Sequence, residues 1–173
     1  IIYLPVADIF YIAEDVGRIR LVSTASGTST VIGLAGTGHK DDIGTAAKIQ
    51  HASGFAVSAN ENIVYFSDLS NQRVRQFDRT DSHRVTLLAG KTASGYNNGV
   101  GGLVKWDDPT GLAWKDPATK LTLVVSDKNN NRIRQLVVST ATVSDYLCSG
   151  TQASNDGTRL VADCHFPSAP AVN

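Results

Sequence analysis

An internal repeat with a period of about 57 residues constrains the fold of this 173-residue chain more than any other feature. An Arg-aliphatic-Arg triplet begins at Arg18, Arg73 and Arg132, which are 55 and 59 residues apart (73 − 18 and 132 − 73). Two further sets of short motifs recur with the same period. They are Leu34-Ala35-Gly36, Leu88-Ala89-Gly90 and Leu147-Cys148-Ser149-Gly150, and then Ala56-Val57, Ala113-Trp114 and Ala171-Val172. We therefore divide the chain into three repeats, at about 1–57, 58–114 and 115–173.

Each repeat has room for four short β-strands, and the second repeat shows them most clearly. Its segments are rich in β-branched and aromatic residues and are bounded by Asn, Asp, Ser and Gly. We predict strands at Gly54–Ser58, Ile63–Ser67, Arg73–Asp78 and Val85–Ala89. Because short connections join antiparallel neighbours, each repeat is expected to form a four-stranded meander.

A lone meander cannot bury both of its faces. Sheets that stack radially around an axis cover one another, which is the solution found in β-propellers. The sequence therefore predicts an all-β fold, a β-propeller of four-stranded antiparallel blades with about three blades in this chain. We treat residues 1–173 as a single, partial propeller domain.

A series of motifs in the second and third repeats resembles the NHL-repeat β-propeller family. The matching motifs, in chain order, are Asp68, Asn71 and Arg73, then Leu88-Ala89-Gly90, Gly95-Tyr96-Asn97-Asn98-Gly99, Pro109-Thr110-Gly111, Ser126-Asp127, Asn130 and Arg132. The first repeat departs from the pattern, since Glu14-Asp15-Val16-Gly17 is one residue short and lacks the Asn. The resemblance implies a ring of six blades, of which this chain would supply half.

Three blades leave two sheet faces uncovered, and open edges demand a partner. The residues from Phe166 to Asn173 also look like the first strand of a further blade. Two interpretations follow: a homodimer that completes a six-bladed ring, or a fragment of a longer propeller. The chain contains no methionine, so we interpret it as a mature product or a piece of a longer protein.

The recurring polar residues of the turn between the second and third strands favour a structural role. Asp and Asn side chains bond turn backbone, and an Arg stem can cover a neighbouring blade. Residues that repeat in every blade indicate scaffold rather than site. We assign this structural role to Asp68, Asn71, Arg73, Asp127, Asn130 and Arg132.

Candidate binding residues should differ between blades and lie in the loops before the inner strands. Equivalent places are occupied there by Gln50-His51, Asp107-Asp108 and His165-Phe166. Trp106 stands beside them as a candidate aromatic anchor. The candidate binding set is His51, Trp106, Asp107, Asp108 and His165.

The sequence favours a non-catalytic interaction module that binds a protein, a peptide or a glycan. Neither a GxSxG motif, a Walker loop, nor a CxxC pair is present, and we predict no cofactor. The alternative is a metal-dependent lyase or hydrolase with an axial site at His51, Asp107 and His165.

Charge and cysteine content indicate which classes of partner and which cellular location the sequence favours. Sixteen Lys plus Arg balance 16 Asp plus Glu, which disfavours nucleic-acid binding. Apolar runs such as Leu121–Val125 are shorter than the roughly 20 residues that cross a bilayer, so no membrane span is predicted. Cys148 and Cys164 stand at the two ends of one inter-blade loop, where a disulfide would indicate an oxidising, extracellular or cell-surface location. Two buried free thiols are the alternative.

Overall fold

The computed structural model describes residues 1–23, 25–33 and 36–170, and within them it contains three antiparallel sheets. The recurring positions Leu34, Ala35, Ala171 and Val172 lie outside the described residues. In that part of the chain, the helical segments are single 3-10 turns at Gly44–Ala46, Leu69–Asn71 and Gly101–Leu103. None of them is long and apolar enough to cross a membrane.

Each sheet is a meander in which consecutive strands are neighbours. Blade 1 contains β1 (Ile2–Leu4), β2 (Ile9–Glu14), β3 (Arg18–Ser23) and β4 (Gly27–Ile32). Blade 2 contains β5 (Ala52–Val57), β6 (Ile63–Asp68), β7 (Arg73–Asp78) and β8 (Arg84–Gly90). A two-residue strand, β9 (Gly99–Val100), pairs with the outer edge of blade 3, which contains β10 (Pro109–Trp114), β11 (Thr122–Asp127), β12 (Arg132–Val137) and β13 (Thr142–Leu147).

These strands confirm the predicted all-β fold with four-stranded antiparallel blades. In the second repeat, every predicted strand overlaps an observed one, and the ends differ by at most two residues. The largest shift is at the start of β5, which begins at Ala52 rather than Gly54. There the register slips between Ala52 and Phe55, so the first residues pair through an irregularity that strand propensity alone does not reveal.

The hydrophobic core lies between the blades as two separate layers, as radial stacking requires. Each layer is built from apolar side chains that alternate along the strands and point toward the neighbouring sheet. The layer between blades 1 and 2 includes Leu4, Tyr11, Ile19, Phe66 and Phe77. The layer between blades 2 and 3 includes Tyr65, Val74, Trp114, Leu123 and Val125.

The inner strands β5 and β10 pack with their backbones in close contact. A Cβ atom placed on Gly54 of β5 would lie 2.4 Å from the carbonyl oxygen of Thr110 in β10. The hydroxyl of Ser67 donates to that same carbonyl at 2.5 Å. Ser168 contacts β10 in a similar way. Thr110 Oγ1 donates a hydrogen bond to Ser168 O at 2.8 Å, and a Cβ atom placed on Gly111 would lie 2.4 Å from that oxygen.

A loop connects each blade to the next, and in the first two loops a buried residue just before the inner strand anchors the loop. Ile49 is the anchor of the loop before blade 2, and Trp106 is the anchor of the loop before blade 3. After blade 3, Cys164 stands in the equivalent position. It forms a disulfide with Cys148, with their Cα atoms 5.6 Å apart, as the spacing of the two cysteines allows.

Candidate functional site

Two buried carboxylates hold the loops that lead into the inner strands. Asp68 and Asp127 end β6 and β11 and are fully buried. Oδ1 of Asp127 accepts the backbone N–H of Asp107 at 2.8 Å. Oδ1 of Asp68 accepts the N–H groups of Gln50 and His51 at 3.0 and 3.4 Å. The candidate binding loops are thus positioned by the structural turns that the sequence identifies.

The second carboxylate oxygen of Asp127 accepts a hydrogen bond from a buried arginine. Oδ2 accepts hydrogen bonds from the side chains of Asn130 and Arg134, both at 2.8 Å. Arg134 is fully buried and also donates to the carbonyl oxygens of Lys105 and Asn97, each at 2.7 Å. Burial raises the pKa of Asp127, while the nearby Arg134 charge and these hydrogen bonds act in the opposite direction.

Blade 2 repeats this arrangement around Asp68. Oδ2 of Asp68 accepts from Asn71 Nδ2 at 2.9 Å and from Arg75 Nη1 at 3.0 Å. Arg75 is fully buried and donates to the carbonyl oxygens of Lys48 and Lys40 at 2.7 and 2.9 Å. We call the buried arginine of each blade its latch arginine, because it ties the blade to the loop that precedes it.

The latch arginines are the residues that the sequence interpretation missed. It singled out Arg73 and Arg132, which are only partly buried. Arg73 donates a hydrogen bond to Thr92 Oγ1 at 3.1 Å, and Arg132 donates one to Asp145 Oδ2 at 3.1 Å. The Arg-aliphatic-Arg triplet carried the missing signal. Residues i and i+2 lie on one face of a regular strand, but a register irregularity next to the second arginine gives it a different environment.

An array of polar side chains surrounds the start of each inner strand, at one end of the blades. Gln72 and Asp108 join blades 2 and 3 there: Asp108 N–H donates to Gln72 Oε1 at 2.8 Å, and Gln72 Nε2 donates to Asp108 Oδ1 at 3.3 Å. Asn129 Nδ2 donates to Asp107 Oδ1 and Asp108 Oδ2 at 3.1 and 3.0 Å. We define the inner rim as His51, Gln72, Asp107, Asp108, Asn129, His165 and Phe166.

The two histidines of the inner rim belong to different local contacts. His51 Nε2 lies 3.6 Å from Asp15 Oδ1 in the turn of blade 1. His165 Nε2 is 3.0 Å from Gln152 Nε2, and its ring lies 4.6 Å from that of Phe166. Phe166 is 43% exposed, so the rim presents an accessible aromatic ring beside an imidazole.

The structure does not bring His51, Asp107 and His165 together as a metal site. The three side chains have different neighbours: His51 lies beside Asp15, Asp107 beside Asn129 and His165 beside Gln152. Within the described ranges there is no group of three or more His, Cys, Asp or Glu side chains placed to hold a metal ion. The inner rim lies at the surface, where Asn129, His165 and Phe166 are exposed.

The interpretation of Trp106 as an exposed anchor is wrong. Its side chain is fully buried, its Nε1 donates to Ala89 O at 3.3 Å, and the guanidinium of Arg134 lies 4.3 Å from its ring. The indole instead fills the space between a loop and the latch arginine, where a stacked cation is stabilised by the ring face. Phe166 is the accessible aromatic side chain of the rim.

Comparison with known proteins finds similarity over part of the chain. No family model matches it. Over 110 residues, which are 64% of this chain and 10% of the relative, it is 29% identical to Protein SUPPRESSOR OF QUENCHING 1, chloroplastic, of Arabidopsis thaliana. Over 107 residues, 62% of this chain and 14% of the relative, it is 28% identical to NHL repeat-containing protein 2 of Bos taurus. The chain therefore spans a small part of either relative, with a weak homology to an NHL-repeat protein.

Solved structures share the fold along nearly the whole chain. A candidate phosphatase of Bacteroides thetaiotaomicron superposes with a TM-score of 0.74 at 15% identity, over 99% of this chain and 42% of that one. Auxiliary nutrient binding proteins of the same species and of Bacteroides ovatus give TM-scores of 0.74 and 0.72 at 16% and 14% identity, over 96% of this chain and 40% and 41% of theirs. The chain folds as part of a β-propeller. At these identities the likeness concerns the fold alone.

Proposed function

We propose that this chain is a non-catalytic binding module of an NHL-type β-propeller, in which the inner rim binds a protein, a peptide or a glycan. One observation carries the proposal: side chains from adjacent blades, Gln72, Asp108 and Asn129, are joined into one polar array at an open end of the blades. In this proposal residues 1–173 form one partial propeller domain with repeats at about 1–57, 58–114 and 115–173.

The chemistry of the inner rim supports a ligand rich in hydrogen-bond donors. Asp107 and Asp108 supply carboxylate oxygens, which accept N–H or O–H groups strongly. Phe166 adds an exposed aromatic face beside them, and aromatic residues are enriched where binding energy is concentrated. Variable loops on a rigid sheet scaffold are a common location of binding residues.

The names of the structures that share this fold include binding proteins and a candidate phosphatase, so a binding role is one of the functions that the fold carries. Two of the structures that superpose well are named as auxiliary nutrient binding proteins. This chain spans about two fifths of each, so its own ligand is part of the proposal.

Binding can be tested on defined peptide and glycan arrays, followed by affinity measurements with each ligand that is found. We expect Asp108→Asn and Phe166→Ala each to weaken binding by about tenfold or more, because each removes a contact worth about 1–3 kcal/mol. A matched control is Asp81→Asn, which neutralises a half-exposed carboxylate in the turn at the opposite end of blade 2.

The variants must have thermal unfolding temperatures close to that of the wild type for the comparison of affinities to be valid. If both inner-rim variants bind as tightly as the wild type while Asp81→Asn weakens binding, the ligand site lies at the other end of the blades. Equal binding by all variants would also reject the inner rim. The array itself distinguishes a peptide ligand from a glycan ligand.

A further inference from the structure

The loop between blades 2 and 3 contains the dipeptide Asn98-Gly99. Asparagine is a thermolabile residue in proteins, because a backbone nitrogen can attack its side-chain amide. The side chain of Asn98 is exposed, and Gly99 has no side chain that would hinder the approach of its nitrogen. Gly99 also has a φ of 150°, which glycine adopts without strain. Among the asparagines of the sequence, Asn98 alone precedes a glycine.

The latch arginine of blade 3 binds the amide oxygen of Asn98. Oδ1 accepts hydrogen bonds from Arg134 Nη2 at 2.9 Å and from Arg134 Nε at 3.2 Å. A cation at this oxygen draws electron density away from the amide carbon. It also stabilises the negative charge that an attacking nucleophile creates on the oxygen, as the donors of an oxyanion hole do. The fold therefore activates the amide carbon of Asn98 toward attack.

The amide nitrogen of Asn98 is held less firmly than the oxygen. Nδ2 donates to Tyr96 Oη and to Asp145 Oδ1, both at 3.3 Å. These two bonds are longer than the usual range of about 2.7–3.2 Å for N–H···O. Tyr96 Oη in turn donates to Asp145 Oδ2 at 2.6 Å, so the oxygens around the nitrogen are engaged with each other. The nitrogen is thus the end of the amide that can leave.

We propose that Asn98 is a site of spontaneous deamidation, with the chain itself as nucleophile and water as co-reactant. The Gly99 nitrogen gives its proton to a solvent base and attacks Asn98 Cγ. An N–Cγ bond forms, the Cγ–Nδ2 bond breaks, and Nδ2 takes up a proton from solvent and leaves as ammonia. Water then opens the succinimide at either carbonyl and gives aspartate or isoaspartate, without any oxidation or reduction. This inference goes beyond the proposed function, because the site lies outside the inner rim.

The charges around the two latch arginines show what the product would change. In blade 2, Arg75 binds the loop carboxylate of Asp41 at 2.7 Å, and its partner on the outer strand is the uncharged Leu87. In blade 3, the loop residue is the neutral Asn98, and the partner on the outer strand is Asp145. Besides its buried aspartate, each blade thus has one carboxylate at this joint, in the loop or on the outer strand.

Deamidation gives the joint of blade 3 a second carboxylate. The hydrogen bond from Asn98 Nδ2 to Asp145 is lost, and two like charges lie side by side. An isoaspartate also inserts one more carbon into the main chain next to Gly99, which pairs with Val143 of β13. Either product therefore weakens the contact between the loop and the outer strand.

The test is peptide mapping by mass spectrometry of the folded chain, kept at mildly alkaline pH and body temperature, with an assay for released ammonia. We expect Asn98 to convert about tenfold or more faster than the exposed Asn97 and Asn129, which no glycine follows. The chain unfolded in guanidinium chloride gives the reference rate. Because Arg134 binds Oδ1 in the folded chain, the folded rate should equal or exceed this reference.

The matched control is Asn98→Gln, which keeps the amide but needs a larger ring for the same attack. It should release no ammonia from this position over the same period. A folded rate below the unfolded rate, or conversion of Asn98 no faster than that of Asn97, overturns the proposal.

Asn98→Asp carries the charge of the product from the start. It should unfold at a lower temperature than the wild type, and adding Asp145→Asn should recover part of the loss, because the joint then has one carboxylate again. Unchanged thermal unfolding of Asn98→Asp would contradict the weakened contact. Array binding by the inner rim is a separate measurement, so the deamidation site and the proposed function can fail independently.

Discussion

At the scale of single residues, the fold depends on charges that are removed from water. Asp127 and Arg134 are both fully buried, and their pairing works because nearly every polar atom finds a partner. The aspartate binds a loop amide with one oxygen and the arginine with the other. The pair therefore specifies where the loop lies, in addition to its electrostatic contribution.

The latch arginine of blade 3 gives a direct test of this view. We expect Arg134→Leu to lower the free energy of unfolding by about 3–5 kcal/mol, because it leaves the Asp127 carboxylate buried without its cation. Arg132→Leu is the matched control: its ion pair with Asp145 is partly exposed, so its loss should cost about 0–1 kcal/mol. Urea denaturation measures both. Equal losses for the two variants would show that burial of the ion pair is irrelevant to stability.

Sequence reasoning located the turns but not the arginines that matter most inside them. The Asp-x-x-Asn spacing identifies a turn because both side chains bond nearby backbone. Which arginine of the following triplet becomes buried depends on a register slip next to Arg75 and Arg134, and this slip is set by pairing with the next strand. Trp106 was misplaced for a related reason: it is one residue from the polar rim, but its side chain points toward Ala89.

At the scale of strands and loops, adjacent blades pack closest at a glycine, which has no side chain to separate the backbones. β5 and β10 approach so closely at Gly54 that a methyl group would meet backbone atoms of Thr110 and Leu112 at 2.4 and 2.7 Å. Backbone cannot move aside like a flexible side chain. The glycine is required here for contact between strands rather than for an unusual backbone angle.

A pair of alanine substitutions tests the close-contact role alone, because neither Gly54 nor Gly102 has a positive φ. We expect Gly54→Ala to destabilise the protein by about 1–3 kcal/mol, as overpacking in a tight contact does. Gly102→Ala should be close to neutral or slightly stabilising, since the nearest atom to its new methyl is Leu87 Cδ2 at 4.0 Å and the change restricts the unfolded chain. Thermal unfolding by circular dichroism compares them. A neutral Gly54→Ala would mean that the inner strands do not pack as tightly as described.

At the scale of the whole molecule, the period of the repeat made the architecture predictable, because every blade needs a neighbour to cover its apolar face. The positions of the strands followed from local turn chemistry. The inter-blade anchors did not, since Ile49, Trp106 and Cys164 have little chemistry in common although they occupy the same place. A repeat that preserves geometry while it changes side-chain type is visible only in three dimensions.

The contact between blades 1 and 2 should make overall stability depend on pH. His83 of blade 2 lies 2.7 Å from the Tyr11 hydroxyl of blade 1, and burial, with a smaller effect of Arg79, lowers the pKa of His83. The folded protein thus favours neutral His83, while the unfolded chain takes up a proton below about pH 6.5. We expect stability to fall as the pH drops from that value toward the folded pKa.

The His83→Gln variant tests the source of this pH dependence. The glutamine side chain does not titrate. As the pH is lowered from about 7.5 to 5.5, the unfolding free energy of the wild type should therefore fall relative to that of the variant. Urea titrations at several pH values measure it. Parallel pH profiles would assign the effect to other groups.

The bond between Cys148 and Cys164 also makes the loop after blade 3 sensitive to thiol chemistry. It ties down the loop that carries Asn155 and Asp163, and the unbonded thiols would leave that loop with one anchor fewer. In a reducing medium this loop would therefore be held by its noncovalent contacts alone.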